Sequence, residues 1–268
     1  MVARQSPSDS AEVSSAEALR EALAERETEV EELRLQIAEL ASARGGFLSD
    51  AAHAIRSPLT VTHSYLEILN SDLGDGLTDE QKTFIGIAFE NSAKLRRLID
   101  DLVDLAALEN GTAQIELTPA SVKDIIVSTH TELRPIAEHK GLMSSIDVSK
   151  DLPKVTVDPD RLKDVLRRLL DNAIRFTPKG GSVSLRANHD QPWVAIEVAD
   201  SGVGIPCDRI GDALKAFVQL HRKPGENRDH YGLGLPICMR TVGAFGGTIE
   251  LTSIEGEGTT VTVKLPDF

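Results

Sequence analysis

Four stretches of this 268-residue chain carry side chains whose types and spacing can do chemistry. The segment DSGVGIP, Asp200 to Pro206, directly follows an alternating apolar run. A carboxylate at a strand end can accept a hydrogen bond from an exocyclic amine, and Gly202 and Gly204 let the backbone turn tightly and approach a ligand. The segment GLGLPI, Gly232 to Ile237, opens a helical pattern. Small residues such as Gly232 and Gly234 expose N–H groups there, and the helix dipole favours a phosphate. In LLDNAIRFTPKGG, Leu169 to Gly181, Asn172 sits on a helix whose apolar face is otherwise complete. Its carbonyl oxygen is a hard ligand suited to Mg²⁺, and Arg175, three residues on, can reach a phosphate. The last stretch is FLSDAAHAIRSPLT, Phe47 to Thr60. His53 lies off the apolar stripe of Leu48, Ala52, Ile55, Leu59, Thr62, Leu66 and Leu69, so its imidazole is expected to face outward. Pro58, five residues later, has no N–H and crowds the carbonyl of Ala54, which loosens the helix beside the histidine. Alone, each stretch has a plain alternative: a turn, a tightly packed helix entry, a cap, a surface histidine. Together, with a long polar loop between the two glycine segments, they are far more specific.

The elements that must hold these residues follow from periodicity. Residues 1–14 are rich in Ser, Pro and acidic side chains and read as a disordered tail. In residues 15–46, Ala16, Leu19, Leu23, Val30, Leu33, Ile37 and Leu40 alternate at steps of three and four, interrupted at Arg26, with Glu, Arg and Ala between. This predicts a coiled-coil or linker helix, with Gly45-Gly46 as a joint; an amphipathic helix packed on its own chain is the alternative. Residues 47–110 read as two helices. Thr78 caps the second, which carries Phe84, Ala88, Asn91, Leu95, Leu98, Leu102 and Leu105. One antiparallel hairpin has too few apolar residues to enclose a core. Two copies would make a four-helix bundle, with Asn91 in a core layer, and hence a homodimer.

Residues 111–268 mix both periods. Strands are expected at 114–117, 142–148, 154–157, 181–187, 193–199, 248–253 and 259–264, and helices at 121–139, 160–176 and 233–245. Pro135 marks a kink or an early end of the first of these helices. Helices on one face of a mixed sheet make an α/β sandwich. The expected fold is therefore multidomain α and α+β: coiled coil, helical-hairpin dimer, sandwich.

Charge narrows the partners. With 29 Lys and Arg against 42 Asp and Glu, the net charge of −13 argues against nucleic acid, which needs clustered cations. Cys207 and Cys238 make neither a disulfide framework nor a metal cluster, and Cys207 reads as a small buried hydrophobe. No apolar run approaches a membrane span and the N-terminus has no signal-peptide core, so a cytoplasmic location is expected. His63, His130, His139 and His189 read as surface or structural.

The order HAIRSPLT, LLDNAIRFTP, DSGVGIP, FVQLHR, GLGLPI resembles the sensor histidine kinases of bacterial two-component systems, from about Phe47 to Phe268. The resemblance implies a dimerisation and histidine-phosphotransfer hairpin over 47–110, followed by a Bergerat-type ATP-binding domain over 111–268. It implies ATP and Mg²⁺ as cofactors, and as partners a second copy of the chain and the receiver domain of a response regulator. His53 would take the γ-phosphoryl group. Ser57, where the family usually has Thr or Asn, stands at the position associated with dephosphorylating the regulator. Asn172 would bind Mg²⁺, Asp200 the adenine amine in a pocket shaped by Gly202 and Gly204, and Gly232 and Gly234 the phosphate side. Phe217 matches the aromatic of a mobile lid running from about Asp208 to Tyr231, in which Arg222 and Lys223 are phosphate candidates.

The chain departs from the family pattern in three places. Ala54 follows the histidine where an acid is usual, and Asp50, three residues before His53, can stand in for it. Arg168 replaces an Asn four residues before Asn172, where it can pair with a phosphate or obstruct the pocket. The lid lacks its glycine cluster and has His230-Tyr231 before Gly232. Two alternatives to an active kinase follow: a catalytically weak relative that binds ATP and scaffolds or dephosphorylates a regulator, and a different ATPase or serine kinase on the same fold. The hairpin histidine argues against the latter.

Overall fold

The computed structural model describes residues 55–56, 58–69, 77–220 and 231–267, all within one compact unit, Leu48–Phe268. The expected tail and coiled coil, His53, Ser57 and lid residues 221–230 lie outside the described residues.

Two helices form the hairpin. In α1 the described helical run is 58–69, and α2 is Asp79–Glu109. The start of α2 is fixed by its sequence: Thr78 Oγ1 accepts from Gln81 N–H while the Gln81 side chain reaches back to Thr78 N–H, a capping box. The helices run antiparallel, because partners descend along α2 as they ascend along α1. Arg56 bonds Asp100, Leu59 packs with Ile99, and His63 Nδ1 lies 2.7 Å from Ser92 Oγ while its ring stacks on Phe89 at 4.6 Å. The expected stripe on α2 divides. Leu105 is buried, whereas Phe84 and Leu95 are exposed. Asn91 is also exposed within one chain, its amide donating to Ile87 O, and the buried polar residue is its neighbour Ser92.

Beyond the hairpin lie β1 (Thr118–Ala120), α3 (Val122–His139), β2 (Met143–Val148), β3 (Val155–Val157), α4 (Pro159–Phe176), β4 (Ser182–Asp190), β5 (Trp193–Asp200), α5 (Ile210–Ala213), α6 (Gly234–Ala244), β6 (Thr248–Ile254) and β7 (Gly258–Pro266). The main sheet has the order β2-β4-β5-β7-β6, parallel only between β2 and β4. A small β1–β3 pair stands beside it. The α4 residues Leu162, Val165, Leu166, Leu169 and Leu170 bury one face against Leu185, Ile196, Val198 and Val263 of the sheet, the α/β sandwich expected. Each such side chain contributes roughly 1.5–3 kcal/mol by burial.

Three expectations need correction. The first strand lies at Thr118–Ala120 rather than 114–117, because Val155–Val157 supplies hydrogen-bond partners only there. Pro135 does not end α3, which runs on to His139; it lies on the exposed side, where the Thr131 carbonyl it deprives of a partner can be hydrated. Cys207 is exposed, opening a short 3₁₀ turn after Pro206, while Cys238 is the buried thiol, with burial pushing its pKa up to about 12. No described helix is long and apolar enough to cross a membrane.

Candidate functional site

The polar face of α4 is laid out by sequence spacing. Arg161, Asp164, Arg168, Asn172 and Arg175 fall at steps of three and four, so they line one side of the helix, opposite the buried leucines. Asp158 caps the helix N-terminus through the N–H groups of Asp160 and Arg161. At the other end Lys140 donates to the carbonyls of Ile174 and Arg175 at 2.7 and 2.6 Å, closing the last turn and fixing the residues just before it. Burial, then the nearby Arg175, holds the Lys140 amine below its usual range.

Facing this stripe is a cavity of about 1030 Å³, within the range of ligand sites. Asn172, Arg175, Asp200, Gly204, Gly232 and Gly234 all line it. Asp200 ends β5 and accepts the Gly202 N–H at 2.7 Å, which orients its carboxylate. Burial pushes this carboxyl above the usual range, against the Gly202 and Thr259 N–H groups that draw it down. Gly204, at φ 63°, passes so close to the Ile254 carbonyl that a Cβ would collide with it. Gly232, at φ 73°, is confined in the same way by Val218. Both turns therefore require glycine. Val198, Val203, Ile205, Leu251 and Val261 supply apolar wall, the surface a flat heterocycle needs.

Two polar side chains of the cavity, Arg175 and Asn172, have the chemistry to meet a phosphate and its cation. Arg175 Nη1 is buried with no hydrogen-bond partner among the described residues, a costly state that a bound anion would relieve. The Asn172 amide lies 4.0 Å from the place a Cβ on Gly234 would occupy, so the helix-entry glycine leaves it open to a ligand. One amide oxygen beside phosphate groups is a donor set that suits Mg²⁺, which is commonly held by few protein ligands. The residues present therefore fit a magnesium nucleotide.

Two expected site residues stand apart. Phe217 does not line the cavity: its backbone has φ 65°, its ring is 58% exposed, and its N–H donates to Gly232 O at 3.1 Å. Gly202 shapes the cavity indirectly, through its bond to Asp200. Arg168 also lines the cavity, with its guanidinium held by both Asp101 and Asp164.

Residues 43–111 match the family model of the His Kinase A (phospho-acceptor) domain, and residues 157–268 that of the histidine kinase-, DNA gyrase B- and HSP90-like ATPases. The adaptive-response sensory kinase SasA of Synechococcus sp. is 32% identical over 92% of this chain and 67% of its own length. The chain belongs to the sensor histidine kinases of two-component systems. The non-motile and phage-resistance protein of Caulobacter vibrioides is 31% identical over 95% of the chain, though over only 31% of its own length. The chain spans about a third of the length of several of the curated relatives it matches. Among solved structures, full-length ShkA in complex with AMPPNP superposes with a TM-score of 0.71 at 28% identity, over 82% of this chain and 45% of that one.

Some parts of this histidine-kinase site are not visible in the motifs. Lys140 lies 35 positions before the carbonyl of Arg175 that it binds, and no local pattern marks it. The apolar wall uses strand and loop residues that look like any core. Asp101 and Asp104 look like solvent-facing helix residues, yet both are bonded to α4.

Proposed function

We propose that the chain is an ATP-dependent protein-histidine kinase acting as a homodimer within a two-component system. The observation that carries this is that Asp200, Asn172, Arg175, Gly232 and Gly234 line one cavity together. The ionised Asp200 would accept the adenine amine, Arg175 would neutralise phosphate charge, and Asn172 would hold Mg²⁺, which would supply further neutralisation of phosphate charge. A neutral imidazole, with a free pKa of about 6.5, is a competent nucleophile at pH 7. One His53 nitrogen bonds to the γ-phosphorus, the bond from that phosphorus to the bridging oxygen breaks, and ADP leaves. The proton of the attacking ring passes to Asp50 or to solvent. The phosphoryl group then moves to an aspartate of a response-regulator receiver, and Ser57 assists the reverse loss of phosphate from that regulator. ShkA, a structural relative, binds AMPPNP, which supports ATP as the nucleotide.

Exposed apolar residues on the hairpin support dimerisation. Tyr65 is 65% exposed, Phe84 62% and Ile87 53%, a stripe that a second copy would cover. Incubation with Mg²⁺ and γ-labelled ATP tests the activity. The expected label is acid-labile and alkali-stable on the wild-type chain and absent from His53→Ala. Nucleotide binding without any label would instead indicate an ATP-binding scaffold.

A further inference from the structure

We propose that Ser253 is a specificity-determining positioning residue. It turns the Thr259 hydroxyl proton away from the nucleotide cavity, so that the base meets hydrogen-bond acceptors there and a 6-amino purine is chosen over a 6-oxo purine. Asp200, Thr259 and Ser253 form one row across three strands. Thr259 of β7 stands opposite Asp200 of β5 on one side and opposite Ser253 of β6 on the other. Residues paired across neighbouring strands share a face. Two positions along the same strands, Val198, Val261 and Leu251 form a second such row, and all three line the cavity. Asp200 and Thr259 line it with them, and Ser253 does not. Ser253 therefore acts through its neighbours rather than on the base.

The oxygen positions assign the protons. Ser253 Oγ lies 2.8 Å from the Gly258 carbonyl oxygen, 2.9 Å from Thr259 Oγ1 and 2.8 Å from the Ile205 nitrogen. A serine hydroxyl has one proton to give and two lone pairs that accept. The Gly258 carbonyl can only accept, so the Ser253 proton goes there. The Ile205 N–H can only donate, so it occupies one lone pair. The contact with Thr259 is then made by the Thr259 proton, on the second lone pair. Gly258 itself is confined, since a Cβ there would collide with the Asp200 carbonyl. With its proton committed to Ser253, Thr259 Oγ1 has lone pairs alone to offer a ligand. Its backbone N–H is bonded to the Asp200 carboxylate, which also accepts from Gly202 N–H. The ionised Asp200 and the Thr259 oxygen are thus both acceptors. An amine with two N–H groups suits that pair. A carbonyl oxygen in its place gains no hydrogen bond, the kind of mismatch that discriminates strongly between ligands.

This proposal rests on the nucleotide binding proposed above, and its test reads affinity without requiring phosphoryl transfer. Dissociation constants for ATP and for inosine triphosphate, which carries a 6-oxo group and an N1–H, are measured by titration calorimetry. The proteins are the wild-type chain, Ser253→Ala, Ser253→Thr, Thr259→Val and the Ser253→Ala, Thr259→Val double variant. Wild type is expected to prefer ATP on the order of a hundredfold. Ser253→Ala frees the Thr259 proton to donate to a 6-oxo group, so the preference should fall about tenfold, the worth of one hydrogen bond. Ser253→Thr keeps the hydroxyl and should keep the wild-type preference. With Thr259→Val already in place there is no hydroxyl to turn, so adding Ser253→Ala should leave the preference unchanged. A serine that merely holds the loop predicts that Ser253→Ala weakens both nucleotides equally, and that result overturns the proposal. A fall of the same size in the Thr259→Val background overturns it too. A wild type with no preference also overturns it while leaving nucleotide binding standing. A wild type that binds neither nucleotide overturns the nucleotide reading, and this proposal with it.

Discussion

Asp200 has to be ionised to accept fully from an amine, and burial makes that harder than for an ordinary carboxyl. As pH falls through its raised pKa the acceptor is protonated. ATP affinity should therefore begin to drop at a higher pH than free carboxylates would predict. Asp200→Asn should weaken ATP about tenfold to a hundredfold, the worth of a hydrogen bond to a charged group, and should flatten that acid limb. Titration calorimetry across pH measures both effects. Arg175 makes a different prediction, since its Nη1 is buried with no hydrogen-bond partner among the described residues. Arg175→Gln should raise KM for ATP several-fold, on the order of 1–2 kcal/mol, while leaving thermal stability nearly unchanged. Beside His53, Asp50→Asn should slow autophosphorylation if Asp50 takes the imidazole proton; an unchanged rate would remove it from the mechanism.

At the scale of elements, the hairpin and α4 make separate predictions. Charges placed on the outward stripe, as in Phe84→Lys with Ile87→Lys, should shift the chain from dimer to monomer in sedimentation while the nucleotide cavity still binds ATP. Lys140→Met removes the two bonds that close the end of α4 and should cost about 1–2 kcal/mol in denaturant unfolding. How much of this was legible in the sequence differs by element. The periodicity of α4 marked its buried face, and Asn172 and Arg175 stood out against it. The glycine turns were legible because Gly204 and Gly232 adopt left-handed backbone that other residues resist. Strand β1 was displaced, since a three-residue strand is defined by its partner rather than by its own pattern. The exposure of Cys207 was missed because a small thiol carries no sign of which way its turn faces. The pairing of Arg168 with Asp101 joins residues 67 positions apart and needed the packed structure to be seen.

Across the whole molecule, helix α2 belongs to the hairpin by sequence yet packs on the ATP-binding domain through Leu105, Asp101, Asp104 and Glu109. Burial opposes ionisation of Asp164, but Arg168 and Arg167 outweigh it and hold the carboxyl below its usual range. A carboxyl with a lowered folded pKa stabilises the fold fully above its unfolded pKa of about 3.9, and loses that contribution as pH falls through the lower folded value. Asp164→Asn should thus lower stability at neutral pH and have little effect in strong acid, as denaturant midpoints at the two pH values would show. The chain as a whole is proposed to move a phosphoryl group from the nucleotide cavity to the hairpin. The most direct measurement is to incubate it with Mg²⁺ and ATP, digest it under alkaline conditions, and locate the phosphoryl group by mass spectrometry, with Asn172→Ala in parallel. Phosphate on the His53 peptide of the wild-type chain, reduced on the order of a hundredfold in Asn172→Ala, is the predicted result. Phosphate on another residue, or equal labelling of the two proteins, would contradict it.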